Sequence, residues 1–150
     1  MMTVEPVTLT GRVARLEPLQ MSHVDDLYQA ALDPSIWTYM PRLPVRARED
    51  MQRIITTALH EREAGVSMAF AIIDLAQGKA IGSTRYLTIE PANRGLEIGC
   101  TWLAPTVQRT GINTECKYLL LRHAFETLGA IRVQFKTHHL NNKSQLAIER

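Results

Sequence analysis

The chain contains few of the features that assign a protein to a specialised class. No apolar run approaches the ~18 residues of a membrane span, and the start "MMTVEPVTLT" lacks the basic and apolar regions of a secretory signal. The only cysteines, Cys100 and Cys116, match no metal-binding or redox spacing. A net charge of +2 gives no reason to expect a nucleic-acid partner. We therefore expect a cytoplasmic protein with no membrane or nucleic-acid partner.

The common motifs of nucleotide-binding and metal enzymes are also missing. The sequence has no GxxxxGK[ST] phosphate loop, and no GxGxxG follows a predicted strand. "HEREA" at His60 is not the zinc motif HExxH. The adjacent His138 and His139 would point in opposite directions on extended backbone, so they cannot chelate one metal together. We expect no metal and no redox cofactor.

What the chain does contain is typical of one globular domain. Its 150 residues are 45% hydrophobic and 21% charged, and they show no repeat, linker or low-complexity tract. Residues 1–150 are therefore predicted to form a single domain.

The pattern of apolar residues predicts an α+β fold. "VTLTGRVARL" is typical of a strand that is broken or bent at Gly11. The predicted helices are a short one in "SHVDDLYQAAL", one from about Ala47 to Ala64, one from about Gly111 to Leu128 and one beginning in "NNKSQLAIER". The predicted strands between them are "SMAFAIID", "AIGSTRYLTI", "LEIGCTWL" and "AIRVQFK". Cys116 falls on the apolar side of its helix, together with Leu120, Leu121, Ala124, Phe125 and Leu128, and is expected to be packed.

The strand "LEIGCTWL" has a regular alternation of side chains. It predicts that Leu96, Ile98, Cys100 and Trp102 share one face of the sheet and that Glu97, Gly99 and Thr101 share the other.

The stretch "APTVQRTGINTE" joins that strand to a long helix and allows two interpretations. A helix start offers amide groups without intrahelical partners and a partial positive charge, Gly111 permits close approach to the backbone, and Arg109 adds a cation. These features suit a phosphate or pyrophosphate. Alternatively, the stretch is only a turn in which Thr110 caps the helix.

A resemblance to a known family favours the first interpretation. "QRTGIN" resembles the Q/R-x-x-G-x-G/A loop with which GNAT acetyltransferases bind the pyrophosphate of coenzyme A. The longer stretch from "LEIGCTWL" through "LNNKSQLAIER" is similar to the RimJ/RimL-like branch. The resemblance implies a mixed, mostly antiparallel sheet with helices on both faces. It also implies N-acetyl transfer from acetyl-CoA to a primary amine, either a protein N-terminus or a small molecule.

The resemblance also implies which residues bind the cofactor. In the family, the strand before the loop diverges from its parallel neighbour, and pantetheine fills the gap; here these strands are "LEIGCTWL" and "AIRVQFK". The cofactor-binding residues it implies are Trp102, Leu103, Gln108, Arg109, Thr110, Gly111, Ile112, Asn113 and Asn141. Asn113 departs from the family pattern, which has Gly or Ala at that position and therefore more room beside the phosphates.

The catalytic and acceptor-binding residues follow from the same resemblance. Glu97 would act through water as general base, and Ser144 would lie near the sulfur as a proton donor. Glu97 could instead be a surface residue or a partner for Arg85, and Asn141 could cap a helix. The loop residues expected to line the acceptor pocket, or else only to cover the core, are Trp37, Tyr39 and Met40.

Compared with this family, the chain is expected to be short at its C-terminus. Relatives continue the last helix into two more strands, one of which pairs with "AIRVQFK". Without that strand the edge is open, and an open edge invites self-association, so a homo-oligomer is expected. The alternative is a truncated domain that binds CoA, self-associates through this edge and is catalytically impaired.

Overall fold

The computed structural model describes residues 2–33, 45–108 and 110–135, which build one six-stranded sheet covered by helices. The strands are β1 (Leu9–Thr10), β2 (Ala14–Pro18), β3 (Ser67–Asp74), β4 (Lys79–Glu90), β5 (Gly95–Leu103) and β6 (Arg132–Phe135). The α-helices are α1 (Val24–Ala30), α2 (Arg48–Glu63) and α3 (Ile112–Arg122), the last continued by a π-helical segment, His123–Thr127.

The strands lie side by side in chain order, from β1 to β6. Neighbouring strands are antiparallel up to β5, and only β5 and β6 are parallel. A parallel pair needs a crossover connection, which α3 supplies here. The predicted mixed, mostly antiparallel sheet is confirmed.

Two apolar clusters cover the two faces of the sheet. On one face, here called the α3 face, the helical residues Ile112, Cys116, Leu119, Leu120 and Ala124 pack on strand residues that include Leu16, Phe70, Ile72, Tyr86, Leu96 and Ile98. On the other, the α2 face, α1 and α2 pack on Ala69, Ala71, Ile73, Ala80 and Trp102. Helices therefore lie on both faces, as predicted.

The first strand differs from its prediction. The segment around Gly11 is a hairpin in which β1 pairs antiparallel with β2, and the amide of Gly11 donates to the carbonyl of Ala14 at 2.8 Å. The expected bend is thus a complete chain reversal. The hairpin places Leu9 and Leu16 directly opposite each other, so both side chains lie on the same face of the sheet.

Helix α3 is anchored to the sheet from within. Cys116 is 1% exposed, and burial, assisted by the nearby charge of Glu115, raises the pKa of its thiol to about 12. The thiol is therefore a packing group, as expected. The buried Tyr86 hydroxyl donates to the carbonyl of Leu120 at 2.5 Å, which ties β4 to the helix.

The expected burial of Phe125 is wrong, because the π-helical segment changes the helical period and leaves that ring 49% exposed.

A β-bulge in β5 overturns the predicted alternation. Arg85 is opposite Gly99, but Ser83 is opposite Trp102, so β5 has one residue more than β4 in this stretch. After this extra residue, each side chain of β5 lies on the face of the sheet opposite to the one predicted. Leu96 and Ile98 lie on the α3 face, whereas Trp102 lies in the cluster on the α2 face. Thr101, predicted to share a face with Glu97, instead bonds to Thr84 through their hydroxyls at 2.8 Å.

Glu115, in the first turn of α3, fastens the helix to the β1–β2 turn. One carboxylate oxygen accepts from the amides of Val13 and Ala14, both at 2.8 Å. Gly11 makes room for this contact, since a Cβ there would overlap the carboxylate. Burial raises the pKa of Glu115, but amide donation from Arg12, Val13 and Ala14 and the Arg12 charge outweigh it, so the net pKa is lowered.

We predict that Glu115→Gln destabilises the protein by about 1 kcal/mol at neutral pH, since charge-assisted hydrogen bonds are worth more than neutral ones and this group is partly solvent-screened. A carboxyl with a lowered folded pKa stabilises above its unfolded pKa, and this stabilisation disappears as the pH falls through the folded pKa. Urea unfolding across that range should therefore show the two proteins converging in acid. The exposed Glu126→Gln is the control, and a constant difference at every pH would contradict the assignment.

Candidate active site

The junction between β5 and α3 is a short turn followed directly by a helix start. A short 3-10 turn, Pro105–Val107, follows β5, and α3 begins at Ile112 with Gly111 as its N-cap. Thr110 is therefore not the N-cap, although its hydroxyl accepts from the amide of Ile112 at 3.3 Å and donates to the carbonyl of Val107 at 2.7 Å. The Thr110 side chain shapes the turn, and the helix start lies one residue further along.

Several polar groups at this helix start have no hydrogen-bond partner among the described residues. Within residues 2–33, 45–108 and 110–135, no acceptor is found for the amides of Gly111, Asn113 and Thr114. The side-chain Oδ1 of Asn113 is buried and makes no hydrogen bond there. Unpaired amides at a helix start combine with the helix dipole to favour an anion.

The backbone conformation at position 111 does not require glycine. The φ of Gly111 is −71°, which any residue can adopt, and a Cβ added there would meet no atom of the described chain within 4 Å. Neither backbone conformation nor packing against the described residues therefore requires glycine at position 111.

The side chain of Gln108 makes a hydrogen bond within the protein. Its side-chain Nε2 donates to the carbonyl of Leu103 at 3.1 Å, which links the loop to the last residue of β5. Trp102 and Leu103 are 6% and 8% exposed and lie on the α2 and α3 faces respectively. Their side chains belong to the core, so any contact that they make with a ligand would come from the backbone.

Strands β5 and β6 pair in parallel over the whole described length of β6. The pairing runs from Gly95 opposite Arg132 to Ile98 opposite Phe135, the last described residue of β6. The predicted divergence of the two strands concerns residues beyond Phe135, which lie outside the described ranges, and it stays a prediction.

Glu97 lies where the two strands are still paired, on the α2 face. It is opposite Leu87 on β4 and Gln134 on β6, and its Oε2 is buried without a hydrogen-bond partner. The alternative that it pairs with Arg85 is not what the structure has, because the ion pair of Arg85 is with Glu61 on α2. Glu97 is thus an unsatisfied carboxylate on the same side as Gly99.

Some of the predicted site lies outside the described residues. These are Trp37, Tyr39, Met40, Arg109, Asn141 and Ser144, whose predicted roles stay predictions. In the described ranges, no three or more His, Cys, Asp or Glu residues are grouped so as to hold a metal ion. The helices of the same ranges are too short or too polar to cross a membrane.

The geometry agrees with the family comparison. The profile of the Acetyltransferase (GNAT) domain matches residues 14–150. The chain belongs to the GNAT acetyltransferase family. A search of curated protein sequences gave no significant match.

Solved GNAT structures superpose on nearly all of the chain. A GCN5-related N-acetyltransferase from Brucella melitensis is 30% identical with a TM-score of 0.90, covering 97% of this chain and 66% of its own. An acetyltransferase from T. thermophilus is 35% identical with a TM-score of 0.86, covering 99% of this chain and 76% of its own. The chain therefore spans only about two thirds of the Brucella protein.

A more distant structure shares the fold alone. The acetyltransferase from Salmonella typhimurium that modifies the N-terminal serine of ribosomal protein L7/L12 is 21% identical, with a TM-score of 0.81 over 96% of this GNAT chain and 83% of its own.

Sequence reasoning missed two features of the described structure near β5 and α3. It did not foresee the buried Oδ1 of Asn113, nor the nearly complete burial of Arg85, which is 6% exposed. A charged residue within the apolar strand "AIGSTRYLTI" was the available signal for the second. No signal distinguished which face of the sheet Arg85 occupies.

We predict that Gly111→Asp weakens coenzyme A binding by about tenfold or more, because it places a negative charge over amides suited to a diphosphate. Gly111→Asn is the matched control, with nearly the same shape and no charge. Calorimetric titration measures affinity, and urea unfolding should show both variants within about 0.5 kcal/mol of the parent, since the added atoms meet open space. Equal affinities for the Asp and Asn variants would contradict an anion site here.

Proposed function

We propose that this GNAT chain transfers an acetyl group from acetyl-CoA to a primary amine. The observation that carries the proposal is the helix start of α3, where the amides of Gly111, Asn113 and Thr114 have no acceptor among the described residues. Acetyl-CoA carries a diphosphate, and a diphosphate suits unpaired amides at the positive end of a helix dipole.

The proposed coenzyme A site consists of the residues around that junction that the family resemblance implies. The diphosphate would lie on the segment from Gln108 to Asn113, with Arg109 as its cation. Pantetheine would run along the β5 backbone at Trp102 and Leu103, and Asn141 would bond to it. Support for the segment comes from the open space over Gly111 and from the buried Oδ1 of Asn113.

The proposed reaction is direct attack of the neutral amine on the thioester carbon. The N–C bond forms, the C–S bond breaks, and the amine proton passes through water to Glu97. The sulfur leaves as thiolate, which a free thiol pKa of ~8.5 makes tolerable, and Ser144 would supply its proton. An α-amino group, with a pKa of ~7.7–8.0, loses its proton far more readily than a lysine at ~10.4.

The proposed acceptor pocket lies on the α2 face, in front of Glu97. Gly99, two residues further along β5, lies on the same face of the sheet and has no side chain. Trp37, Tyr39 and Met40 would form the outer wall. Since one structural neighbour modifies an N-terminal serine of a ribosomal protein, a protein N-terminus and a small amine are the two acceptor classes proposed.

Homo-oligomerisation and a cytoplasmic location stay predictions. The alternative, a domain that binds CoA but is catalytically impaired, predicts a different experimental result. It would bind CoA with the Gly111 dependence described above, yet release no thiol with any amine.

We predict that Glu97→Gln lowers kcat by about 100-fold, because general-base catalysis contributes about 10²–10⁴-fold. The KM for acetyl-CoA should stay within about twofold, since the carboxylate accepts a proton and does not bind the carrier. Thiol release with dye detection measures both constants. Glu90→Gln on the neighbouring strand is the control, because Glu90 is the last residue of β4 and its carboxylate is paired with Arg132 at 3.5 Å. An unchanged kcat in Glu97→Gln would remove Glu97 from the mechanism.

A further inference from the structure

The second half of α3 departs from a regular α-helix just after Leu120. The amide of His123 is shared between the carbonyls of Leu119 and Leu120, and the amide of Leu128 then reaches back to the carbonyl of His123 at 2.9 Å. An α-helix would instead join each amide to the carbonyl four residues earlier. The π-helical segment His123–Thr127 therefore contains one residue more than an α-helical path would use.

A side chain of the sheet makes a hydrogen bond at the same place. The hydroxyl of Tyr86 on β4 donates to the carbonyl of Leu120 at 2.5 Å, and Tyr86 is completely buried. His123, the first residue of the π-helical segment, stacks on the Tyr86 ring with the ring centroids 6.4 Å apart and the planes inclined by 22°. A side chain that bonds to a helical carbonyl competes with the amides of the helix for that acceptor, which is one cause of helix irregularity. The change of helical period therefore coincides with the Tyr86 contact.

The apolar pattern of the sequence fits a different helical register. Leu121, Ala124, Phe125 and Leu128 have the spacing i, i+3, i+4 and i+7, which places all four on one side of an α-helix. In the structure Ala124 is buried, Leu121 and Leu128 are partly buried against the α3-face cluster, and Phe125 is exposed. A conflict between the local pattern and the structure indicates a segment with two competing arrangements.

The strand that follows limits how far a change of helical register can extend. Val133 and Phe135 pack on the α3-face cluster, whereas Arg132 and Gln134 are exposed. A one-residue slip of β6 would exchange these two pairs between the faces of the sheet and would turn a charged side chain toward the core. A second helical register must therefore be absorbed within residues 128–131, before β6 begins.

We propose that the second half of α3 has two helical registers and that the hydroxyl of Tyr86 holds it in the π-helical one. Without that hydrogen bond, the segment from His123 to Leu128 follows the α-helical path, the amide of Leu128 bonds to the carbonyl of Ala124, and the ring of Phe125 turns toward the α3-face cluster. Tyr86 thereby decides whether an aromatic ring is presented on the surface of α3. This inference concerns a conformational device of the fold and is independent of the proposed acetyl transfer.

The first test removes the hydroxyl and observes the hydrogen bonds of the helix directly. Tyr86→Phe keeps the ring, and NMR scalar couplings across hydrogen bonds identify the carbonyl that accepts from the amide of Leu128. We expect a coupling to His123 in the parent protein and to Ala124 in the variant. Thr84→Val is the matched control, because it removes another buried hydroxyl from the same face of β4, and it should keep the coupling to His123. A coupling to His123 that persists in Tyr86→Phe, or is lost equally in Thr84→Val, would overturn the role of Tyr86.

The second test removes the side chain that favours the α-helical register. In the Tyr86→Phe background, Phe125→Lys places a charge where the α-helical path would bury it, so the coupling of Leu128 to His123 should return. Phe125→Leu in the same background is the matched control, since it keeps an apolar side chain and should retain the coupling to Ala124. An α-helical coupling in the lysine variant would contradict a second register that depends on burial of position 125.

A third variant keeps the inference testable should Tyr86→Phe not fold. Deletion of Glu126, an exposed residue of the π-helical segment, removes the additional residue and leaves an α-helical path that does not need the Tyr86 hydroxyl. Urea unfolding of this deletion in the Tyr86→Phe background should show a single cooperative transition, as in the parent protein. If the deletion does not restore folding, Tyr86 does not act by holding the helical register.

Discussion

The parallel pairing of β5 with β6 is the constraint on which the functional architecture depends. Parallel neighbours cannot be joined by a tight turn, so the chain must leave the end of β5 and return through a helix. That requirement places the N-terminus of α3 shortly after Leu103, with unpaired amides and the positive end of the dipole at the edge of the sheet. The topology therefore puts a helix start at the junction where the resemblance of "QRTGIN" predicts a diphosphate site.

The bulge in β5 decides what each side of that junction contains. With regular alternation, Glu97 and Thr101 would share a face, and Trp102 would lie above α3. The extra residue instead sends Trp102 to the α2 cluster, while Glu97 and Gly99 remain on that face further back along the strand. Along β5, the α2 face thus carries the carboxylate of Glu97, then Gly99 and then the ring of Trp102. Bulges commonly re-aim side chains next to active sites in this way.

Much of the fold could be predicted from the sequence because its helices and strands are strongly periodic. The α2 helix is found within one residue of its predicted ends, and β3, β4 and β5 lie in the predicted segments. The errors share a cause. Each comes from a local change in strand register or helical period, which the amino-acid composition of a segment does not reveal. The hairpin at Gly11, the bulge near Thr101 and the π-helical turn that exposes Phe125 are all of this kind. The Gly111 loop could be recognised by family resemblance, whereas the burial of Arg85 depends on which helix covers its face.

The carboxylate of Glu115 has two opposing effects at the start of α3. A carboxylate in the first turn stabilises the helix dipole, yet it would also repel a diphosphate bound nearby. Here the carboxylate is occupied by the amides of Val13 and Ala14 and lies near the charge of Arg12. Its negative charge is thereby compensated within the protein. The amides of Gly111, Asn113 and Thr114 are left for an external anion, so the same residue that fastens α3 to the sheet does not compete with the proposed ligand.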